Sequence, residues 1–416
     1  MPAASGAYRR VSDDNKEASL RVLQVIPAVA PRYGGPSQAI FEMCRALASR
    51  GLGVLIATTD VDGRARLQVQ TGGEIEYRGV PTIFFRGLGE RFNYSPALGR
   101  WLDDNAAGFA VVHIHAVFSH PCIAAARACR KHNIPYIVRP LGSLDPWSMQ
   151  QKALRKRLMW QMAAGRMLRE AASIHYTTDD ERRLAETSLG LDHGVVIPLG
   201  VDIEAIQATV EANFRERHPA LGERPYILAL SRIHPKKNIE LLIDVFLELT
   251  KRPELSQWRL VIAGEGDSSY LARLRALAES HDTIIFAGWI EGPMKASAIQ
   301  QASLFASPSR QENFGIAAAE ALACAVPVVL SEHVNLASGI ARANAGWVTS
   351  LERANFSRVL GEAMMSDEER QRRGRAGKLF VEENLSWEET ARELEKLYSL
   401  ITARVASSVT SVVTGC

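Results

Sequence analysis

Short apolar runs alternate along residues 20–200 with longer segments whose apolar residues recur every three or four positions. Runs of this length are typical of strands, and the longer segments have the spacing of amphipathic helices. The first run, at 20–27, is followed by a glycine-rich turn and a helix pattern at 36–49. Later strands are predicted at 54–58, 110–114 and 136–138. The alternation predicts a parallel sheet with helices on both faces.

The same pattern restarts near residue 225 and predicts a second sheet of the same kind. Its helices are expected at 238–250, 269–279, 293–301 and 316–324, and its strands at 226–230, 259–263, 283–286, 304–306 and 326–330. Two similar α/β domains are therefore expected.

The segment 199–223 lies between the two series, is polar and contains His218-Pro219, so we predict the linker there. The N-terminal domain is then expected at 19–198 and the C-terminal domain at 199–385. A last helix at 386–402 begins with a capping box formed by Ser386 and Glu389. Residues 403–416 are expected to fray.

Composition excludes several classes of protein. The net charge of +3 over 416 residues is too small to indicate nucleic-acid binding. The five cysteines form no Cys-x-x-Cys pair, so we expect reduced thiols and no zinc site. Residues 1–19 are polar, and no apolar run approaches the ~20 residues of a membrane-spanning helix. A cytoplasmic protein, at most attached to a membrane surface, is expected.

The strongest chemical signal is the loop 308–315 between a predicted strand and a predicted helix. It contains Glu312, Asn313, Phe314 and Gly315, and Glu320 follows in the helix. A glycine allows close backbone approach, and free N–H groups at a helix start can hold a phosphate. Carboxylates only accept hydrogen bonds, so two of them suit a polyhydroxylated ligand. The loop therefore predicts a site for a phosphate and a sugar.

A second signal follows the strand at 226–230, where Arg232 and Lys237 lie just past its carboxyl end. Open α/β sheets bind ligands at this edge. The two cations can neutralise a departing diphosphate, whose charge develops in the transition state. Gly264 lies in a glycine-containing turn after the next strand and is predicted to contact the same ligand.

These elements, in this order, resemble retaining glycosyltransferase family 4, whose members have the GT-B fold of two Rossmann-like domains facing a central cleft. The resemblance covers about residues 20–400. The family's Glu-x7-Glu motif is matched by Glu312 and Glu320, and its Arg…Lys pair by Arg232 and Lys237. It implies that Glu312 faces the transferred sugar, that Glu320 faces the nucleoside ribose and that the last helix packs on the N-terminal domain.

The chain departs from the family pattern at two positions that are usually glycine. Asn238 follows Lys237, and Ala325 precedes Pro327 by two residues. Neither departure removes a chemical group from the predicted site. Both make it harder for the local backbone to adopt the tight conformations that glycine allows.

In the N-terminal half, Gly34 and Gly35 follow the first strand and open a helix. They are interpreted either as a close backbone approach to donor and acceptor or as a tight βα turn. His113 and His115 share one face of a strand. His115 is expected at the cleft, because it ends the strand and its family counterpart contacts the region of the transferred sugar. His113 is interpreted as a core residue.

Arg139 ends the next strand and resembles an acceptor-side residue, which either binds an anionic group or pairs with Asp145. The basic run Lys152, Arg155, Lys156, Arg157, Arg166 and Arg169 has apolar residues interleaved. It is interpreted as a solvated helix face whose apolar side packs on the core, or as a face that docks on anionic lipid.

Asp60 and Asp62 form an Asp-x-Asp sequence that precedes Gly63. We interpret it as turn chemistry. Arg232 and Lys237 already supply positive charge, so no metal and no cofactor are expected.

The site residues together with the resemblance therefore predict a hexosyltransferase that uses a nucleoside diphosphate sugar and a hydroxyl acceptor, and the resemblance implies that it retains the anomeric configuration. By family analogy the acceptor is a saccharide or a lipid-linked molecule of surface polysaccharide or glycolipid synthesis. Two alternatives stay open at this point: a GT-B-type nucleotide-sugar epimerase, and a non-catalytic nucleotide-sugar-binding protein.

Overall fold

The computed structural model describes residues 20–89, 92–151, 153–208, 213–278 and 281–413. The N-terminal residues 1–19, Lys152, Glu279 and Cys416 lie outside them. Within the described residues the chain forms two largely parallel sheets, and helices cover both faces of each. The predicted α/β class is confirmed.

The N-terminal sheet has eight strands in the order β10-β9-β8-β7-β1-β2-β6-β5, and β5 alone runs antiparallel to its neighbour. A short β3–β4 hairpin lies beside it. The strands are β1 Arg21–Ala28, β2 Gly53–Thr59, β3 Val61–Asp62, β4 Ala65–Arg66, β5 Glu74–Tyr77, β6 Val80–Phe85, β7 Val111–His115, β8 Tyr136–Arg139, β9 Ser173–Tyr176 and β10 Gly194–Val196.

The C-terminal sheet has six parallel strands in the order β13-β12-β11-β14-β15-β16. The strands are β11 Tyr226–Leu230, β12 Arg259–Ala263, β13 Ile284–Gly288, β14 Leu304–Ser307, β15 Val328–Ser331 and β16 Gly346–Thr349. β15 begins after Pro327 and not at the predicted residue 326, because proline has no N–H to donate to the ladder.

The helices of the N-terminal half are α1 Gly35–Ser49, α2 Pro96–Asn105, α3 His120–His132, α4 Pro146–Gln150, α5 Ala153–Met159, α6 Gly165–Arg169 and α7 Asp179–Leu189, with a π-helical turn at Trp160–Ala164 between α5 and α6. Those that follow are α8 Ile203–Gln207, α9 Phe214–Arg217, α10 Ile239–Leu249, α11 Ser268–Ala278, α12 Gly292–Gln300, α13 Ile316–Ala323, α14 Ala337–Arg342, α15 Arg353–Met365, α16 Asp367–Asn384 and α17 Trp387–Val413.

Apolar clusters cover both faces of both sheets. In β1, Val22 belongs to the cluster on one face and Leu23 to the cluster on the other. In β11, Ile227 and Leu228 divide in the same way. Burial on both faces explains why these strands are continuous apolar runs rather than alternating ones.

The segment predicted as a linker is part of the C-terminal core instead. Ile197 is buried in the N-terminal core and Leu199 in the C-terminal core, so the chain crosses between the domains at Pro198. The following helices α8 and α9 bury Ile206 and Phe214. The linker prediction was wrong because the polar residues of these short amphipathic helices resemble loop composition.

The C-terminal helix returns to the N-terminal half and packs on α1. Leu394 and Tyr398 are buried in that core. Ser386 accepts a hydrogen bond from the backbone N–H of Glu389 at 3.1 Å, as expected for a capping residue. The helix continues to Val413, so the predicted fraying after residue 402 was wrong.

Both departures from the usual family glycines adopt left-handed backbone conformations. Asn238 has a φ of 54° and Ala325 a φ of 57°. Asparagine tolerates this region through local hydrogen bonding, whereas the Cβ of alanine is strained there by ~1–2 kcal/mol.

We expect Ala325→Gly to raise the free energy of unfolding by ~1 kcal/mol, because glycine removes this strain. Urea unfolding monitored by circular dichroism measures the change. The matched control is Ala272→Gly, at an exposed position inside α11. The control should lower the free energy of unfolding by ~1 kcal/mol, since glycine is a poor helix former. A loss of stability in both variants would contradict the strain argument.

Candidate active site

The carboxyl ends of the two sheets border one cavity of about 750 Å³. Both domains line it, so a ligand in the cavity contacts both. Ten of the predicted site residues are among the lining residues: Gly34, Gly35, Arg232, Lys237, Gly264, Glu312, Asn313, Phe314, Gly315 and Glu320. Their individual roles stay predictions.

Two cations lie at one end of the cavity. Lys237 ends the short 3₁₀ turn after β11, and its ammonium contacts the carboxylate of Glu312. Burial, together with the nearby charges of Lys236 and Arg232, lowers the pKa of Lys237. The Glu312 carboxylate opposes this shift, because an opposite charge favours the ammonium form. The pair therefore holds both groups in place in the cavity.

Gly315 places the start of α13 against the cavity. It has a φ of 95°, and α13 begins without a side-chain cap. The backbone N–H groups of Ala318 and Ala319 bond to the Gly315 carbonyl, whereas those of Ile316 and Ala317 precede the helical ladder. Such N–H groups at a helix start are suited to an anionic group.

A second ion pair, which the sequence analysis missed, lies further along α13. Lys295 of α12 donates to Glu320 Oε1 at 2.6 Å, and both residues line the cavity. The signal that could have found Lys295 is its place in the helix that follows the carboxyl end of β13, at the same sheet edge as the other lining residues.

Gly264 allows the ends of β11 and β12 to approach closely. It has a φ of 136°, and a Cβ there would lie 1.8 Å from the Ser231 carbonyl oxygen. Any other residue would therefore push the two strand ends apart at the cavity.

The two domains touch at the cavity through glycines of the N-terminal half. A Cβ on Gly34 would lie 3.3 Å from Arg232 Cδ, and one on Gly35 would lie 2.7 Å from Ile316 Cδ1. Gly34 also has a φ of 76°. The double glycine therefore forms a tight βα turn that lies close to the opposite domain. Its close approach to donor and acceptor stays a prediction.

Asn313 reaches across the cleft to the N-terminal domain. Its amide donates to Thr177 Oγ1 at 3.3 Å, and it packs against Gly142. Glu181, which the sequence analysis also missed, accepts hydrogen bonds from the backbone N–H groups of Gly142 and Thr177 at 2.9 and 2.8 Å. The buried Glu181 carboxylate thus ties together the two N-terminal loops that Asn313 contacts.

The chain matches known families in both halves. Residues 210–380 match the glycosyl transferases group 1 family, and residues 34–200 match a glycosyl transferase 4-like domain. The chain is a group 1 glycosyltransferase of family 4 type. It has the GT-B fold.

Relatives and solved structures agree with this assignment. The D-inositol 3-phosphate glycosyltransferase of Jonesia denitrificans is 25% identical over 402 residues, which cover 90% of this chain and 93% of the relative. The phosphatidyl-myo-inositol mannosyltransferase of Mycobacterium leprae is 25% identical over 332 residues, 75% of this chain and 79% of the relative. The structure of sucrose-phosphate synthase from Thermosynechococcus elongatus superposes with a TM-score of 0.74 at 19% identity, over 92% of this chain and 100% of that one.

His115 does not lie at the cleft of this glycosyltransferase. It is fully buried, and its Nε2 is 2.7 Å from Gln24 Oε1. His113 is also buried, as predicted, and its Nδ1 is 2.8 Å from the hydroxyl of Tyr398. The prediction for His115 was wrong because α17, which returns from the far end of the chain, supplies Tyr398 to this layer. The position of a residue at the end of a strand does not show whether a distant helix packs over it.

Arg139 is likewise fully buried and does not line the cavity. Its Nη1 is 3.8 Å from Met43 Sδ, while Nε and Nη2 have no hydrogen-bond partner within the described part of the chain. Burial lowers the pKa of Arg139 to about 10, although the charge of Glu181 opposes this. Asp145 instead caps α4. Arg139 therefore does not pair with Asp145, and its predicted acceptor-side position is wrong because the side chain lies in the core.

The Asp-x-Asp sequence of this glycosyltransferase leads into the tight turn of the β3–β4 hairpin, in agreement with the predicted turn chemistry. The Asp60 carboxylate accepts from Arg66 Nη1 at 3.1 Å and from the Gly87 N–H at 2.9 Å. Asp62 lies 3.7 Å from Arg32. The described residues contain no cluster of three metal-ligating side chains.

Three buried histidines predict how stability depends on pH. His113, His115 and His175 are fully buried, and burial lowers the pKa of each, to about 3 for His175. Unfolded histidine has a pKa of ~6.5. Their contribution is therefore complete above pH ~6.5 and is lost as the pH falls below it. Each neutral histidine should cost ~1.4 kcal/mol at pH 5.5.

We expect the free energy of unfolding to fall by ~4 kcal/mol between pH 7.5 and 5.5 from these three groups. Urea unfolding at both pH values measures the difference. His175→Gln should reduce that fall by ~1.4 kcal/mol. The exposed control His281→Gln should show the full fall. Equal stability of the unaltered protein at the two pH values would contradict the burial argument.

Proposed function

We propose that this glycosyltransferase moves a hexosyl group from a nucleoside diphosphate sugar to a hydroxyl acceptor with retention of anomeric configuration. One observation carries the proposal: Arg232, Lys237, Glu312, Glu320 and the start of α13 border the same cavity. A diphosphate needs the cations and the helix start, and a sugar needs the carboxylates.

The ion pair between Lys237 and Glu312 suggests how the donor engages the site. A diphosphate carries more negative charge than one carboxylate, so it competes for the Lys237 ammonium. The released Glu312 carboxylate then faces the transferred sugar, where positive charge develops in the transition state. Arg232 lies at the rim of the same end and supports the departing diphosphate. The cations thus stabilise the leaving group and Glu312 the reacting sugar.

Retention is proposed through departure and attack on the same face of the sugar. Glu312 is proposed to stabilise the positive charge that develops on the sugar and to form no covalent bond with it. In the proposed mechanism the departing phosphate takes the proton of the attacking acceptor hydroxyl. Contacts across the cleft, such as that of Asn313 with Thr177, help to exclude water, which would otherwise hydrolyse the donor.

The acceptor class is proposed from the relatives. By their names, they act on D-inositol 3-phosphate or phosphatidyl-myo-inositol, and one is GDP-mannose-dependent. We therefore propose a polyhydroxylated acceptor, either a saccharide or a lipid-linked molecule of surface polysaccharide or glycolipid synthesis.

Two alternatives to this proposal would use the same cavity. A GT-B-type epimerase would isomerise the donor sugar when no acceptor is present. A nucleotide-sugar-binding protein would bind the donor without turnover. Incubating the protein with UDP-, GDP- and ADP-sugars, with and without inositol phosphate or saccharide acceptors, separates the three. Proton NMR of the product would show a new glycosidic linkage with the donor's anomeric configuration, an isomerised donor, or no change.

We expect Arg232→Ala and Lys237→Ala each to raise the barrier to transfer by ~3 kcal/mol, a rate loss of about a hundredfold, while the fold persists. Each variant removes one cation from the proposed leaving-group site. Steady-state kinetics measure the loss, and circular dichroism checks the fold. The control is Lys251→Ala, at an exposed lysine after α10. Near-normal turnover in both site variants would refute the diphosphate assignment.

Transfer is proposed to need no metal, because two cations and a helix start already serve the diphosphate. Activity should therefore stay within twofold after dialysis against EDTA, assayed with and without added magnesium or manganese. Asp60→Asn should be equally indifferent to added metal. Loss of activity on chelation, restored by manganese or magnesium, would show that the metal-free proposal fails.

We propose that the protein docks on an anionic membrane through the region around α5. No helix in the described ranges is long and apolar enough to cross a membrane. Leu154, Leu158 and Met162, at four-residue spacing, are 87, 57 and 74% exposed. The predicted packing of the apolar side on the core is therefore wrong for Leu154 and Leu158, whereas Trp160 does pack on the core. Arg157 and Arg169 are exposed nearby and complement anionic headgroups.

Wild-type protein should sediment with vesicles that contain phosphatidylglycerol and much less with phosphatidylcholine vesicles. Replacing Leu154 and Leu158 together by serine should weaken binding at least about tenfold, because two inserted side chains are lost. The control replaces two exposed leucines of the C-terminal domain, Leu277 and Leu379, by serine. Equal binding of both double variants would rule out this surface.

A further inference from the structure

Lys295 holds one oxygen of Glu320 at the wall of the cavity. Its Nζ lies 2.6 Å from Glu320 Oε1, and the side chains of the two residues are only 17% and 9% exposed. Glu320 Oε2 accepts no hydrogen bond from any residue that the structure describes. The carboxylate is therefore fixed at one oxygen and available at the other.

Negative charge is concentrated around this pair. Glu42 of α1 and Asp202 also line the cavity. Burial, followed by the charges of Glu320 and Asp202, raises the pKa of Glu42, although hydrogen bonds from Gln38 and Trp387 oppose this. A carboxylate in such surroundings is pushed away from its neighbours unless a cation holds it. Lys295 is the cation that contacts Glu320.

Lys295 lies on a different part of the cavity wall from Lys237 and Arg232, which border the proposed diphosphate end. Lys237 and Glu312 belong to the loops after β11 and β14, whereas Glu320 lies in the second turn of α13 and Lys295 in α12. A donor whose phosphates lie at the start of α13 would therefore present its nucleoside to Glu320 and Lys295.

We propose that Lys295 is a positioning residue for the donor nucleoside, which holds the Glu320 carboxylate so that it accepts hydrogen bonds from the vicinal hydroxyls of a ribose. The inference rests on the proposed function and deepens it. It predicts that the preference for a ribose over a 2′-deoxyribose depends on Lys295.

The preference for a ribose over a 2′-deoxyribose follows from the number of hydrogen bonds that each sugar can donate to Glu320. A fixed carboxylate offers acceptors at defined positions, and a ribose fills them with two O–H donors. A 2′-deoxyribose leaves one acceptor buried and unpaired, which a site built for hydroxyls penalises strongly. Without Lys295, the carboxylate is free to turn away, and a ribose gains little over a deoxyribose.

A direct contact between Lys295 and a phosphate is the competing role. Ribose and deoxyribose nucleotides carry the same phosphates, so such a contact would support both equally. Comparing the two nucleotides in the same variants therefore separates positioning of Glu320 from phosphate binding.

The experiment uses the full chain and calorimetric binding of UDP, GDP and ADP beside their 2′-deoxy counterparts. The unaltered protein should bind the preferred ribonucleotide at least about tenfold more tightly than its deoxy form. Lys295→Met should weaken the ribonucleotide about tenfold and the deoxynucleotide less than about threefold, so that the preference collapses. Lys295→Arg should restore most of the preference. In kinetics, Lys295→Met should raise the donor KM and leave kcat within about threefold.

The control is Lys378→Met, which removes a lysine 3.8 Å from Glu382 on α16, outside the cavity lining. It should keep the full preference. Equal weakening of ribo- and deoxynucleotide in Lys295→Met would overturn the inference in favour of phosphate contact. An unaltered preference in that variant, or no preference in the unaltered protein, would overturn it while leaving the proposed function intact. Failure of all three ribonucleotides to bind the unaltered protein would overturn both.

Discussion

The active site depends on how closely the carboxyl ends of the two sheets approach each other. Three glycines of the N-terminal domain permit this approach, because a Cβ at Gly34, Gly35 or Gly142 would meet Arg232, Ile316 or Asn313 of the opposite domain. The distances to these neighbours would be 3.3, 2.7 and 2.9 Å. Larger residues would hold the domains apart, open the cavity to water and weaken every electrostatic contact within it.

Charge is arranged along the cavity in a definite order. At one end Lys237 and Arg232 lie near the start of α13, and at the other Lys295 lies among the carboxylates of Glu320 and Glu42. Each carboxylate of the Glu-x7-Glu motif is thus paired with one lysine. These pairs preserve the geometry of groups that would otherwise repel one another or turn to solvent. In the proposed function, an incoming donor exchanges one set of charge-assisted contacts for another.

The N-terminal domain shows where positional reasoning from a strand fails. The sequence indicates correctly that β7 and β8 are strands, and His115 and Arg139 do end them. It does not indicate how deeply these two side chains are buried. Arg139 lies against Met43 of α1. His115 bonds to Gln24, which donates to the hydroxyl of Tyr398 from the distant α17. Both residues are fully buried, so they belong to the core rather than the cleft. The polar helices α8 and α9 were mistaken for a linker for a related reason, since their few apolar residues are buried only in the assembled domain.

The sequence by itself determined the two α/β halves and the sheet edge that holds the chemistry. The spacing of apolar residues and the alternation of strands and helices are local patterns. Residues just past parallel strands must share one edge of the sheet, so the position of Arg232, Lys237 and the loop 308–315 at that edge was predictable. Only the tertiary structure decided which side chains meet. Lys295 reaches Glu320, Asn313 reaches Thr177 and Tyr398 covers His113, in pairs separated by 25, 136 and 285 residues. Such contacts depend on how helices pack and how the domains close, and no local pattern along the chain encodes that geometry.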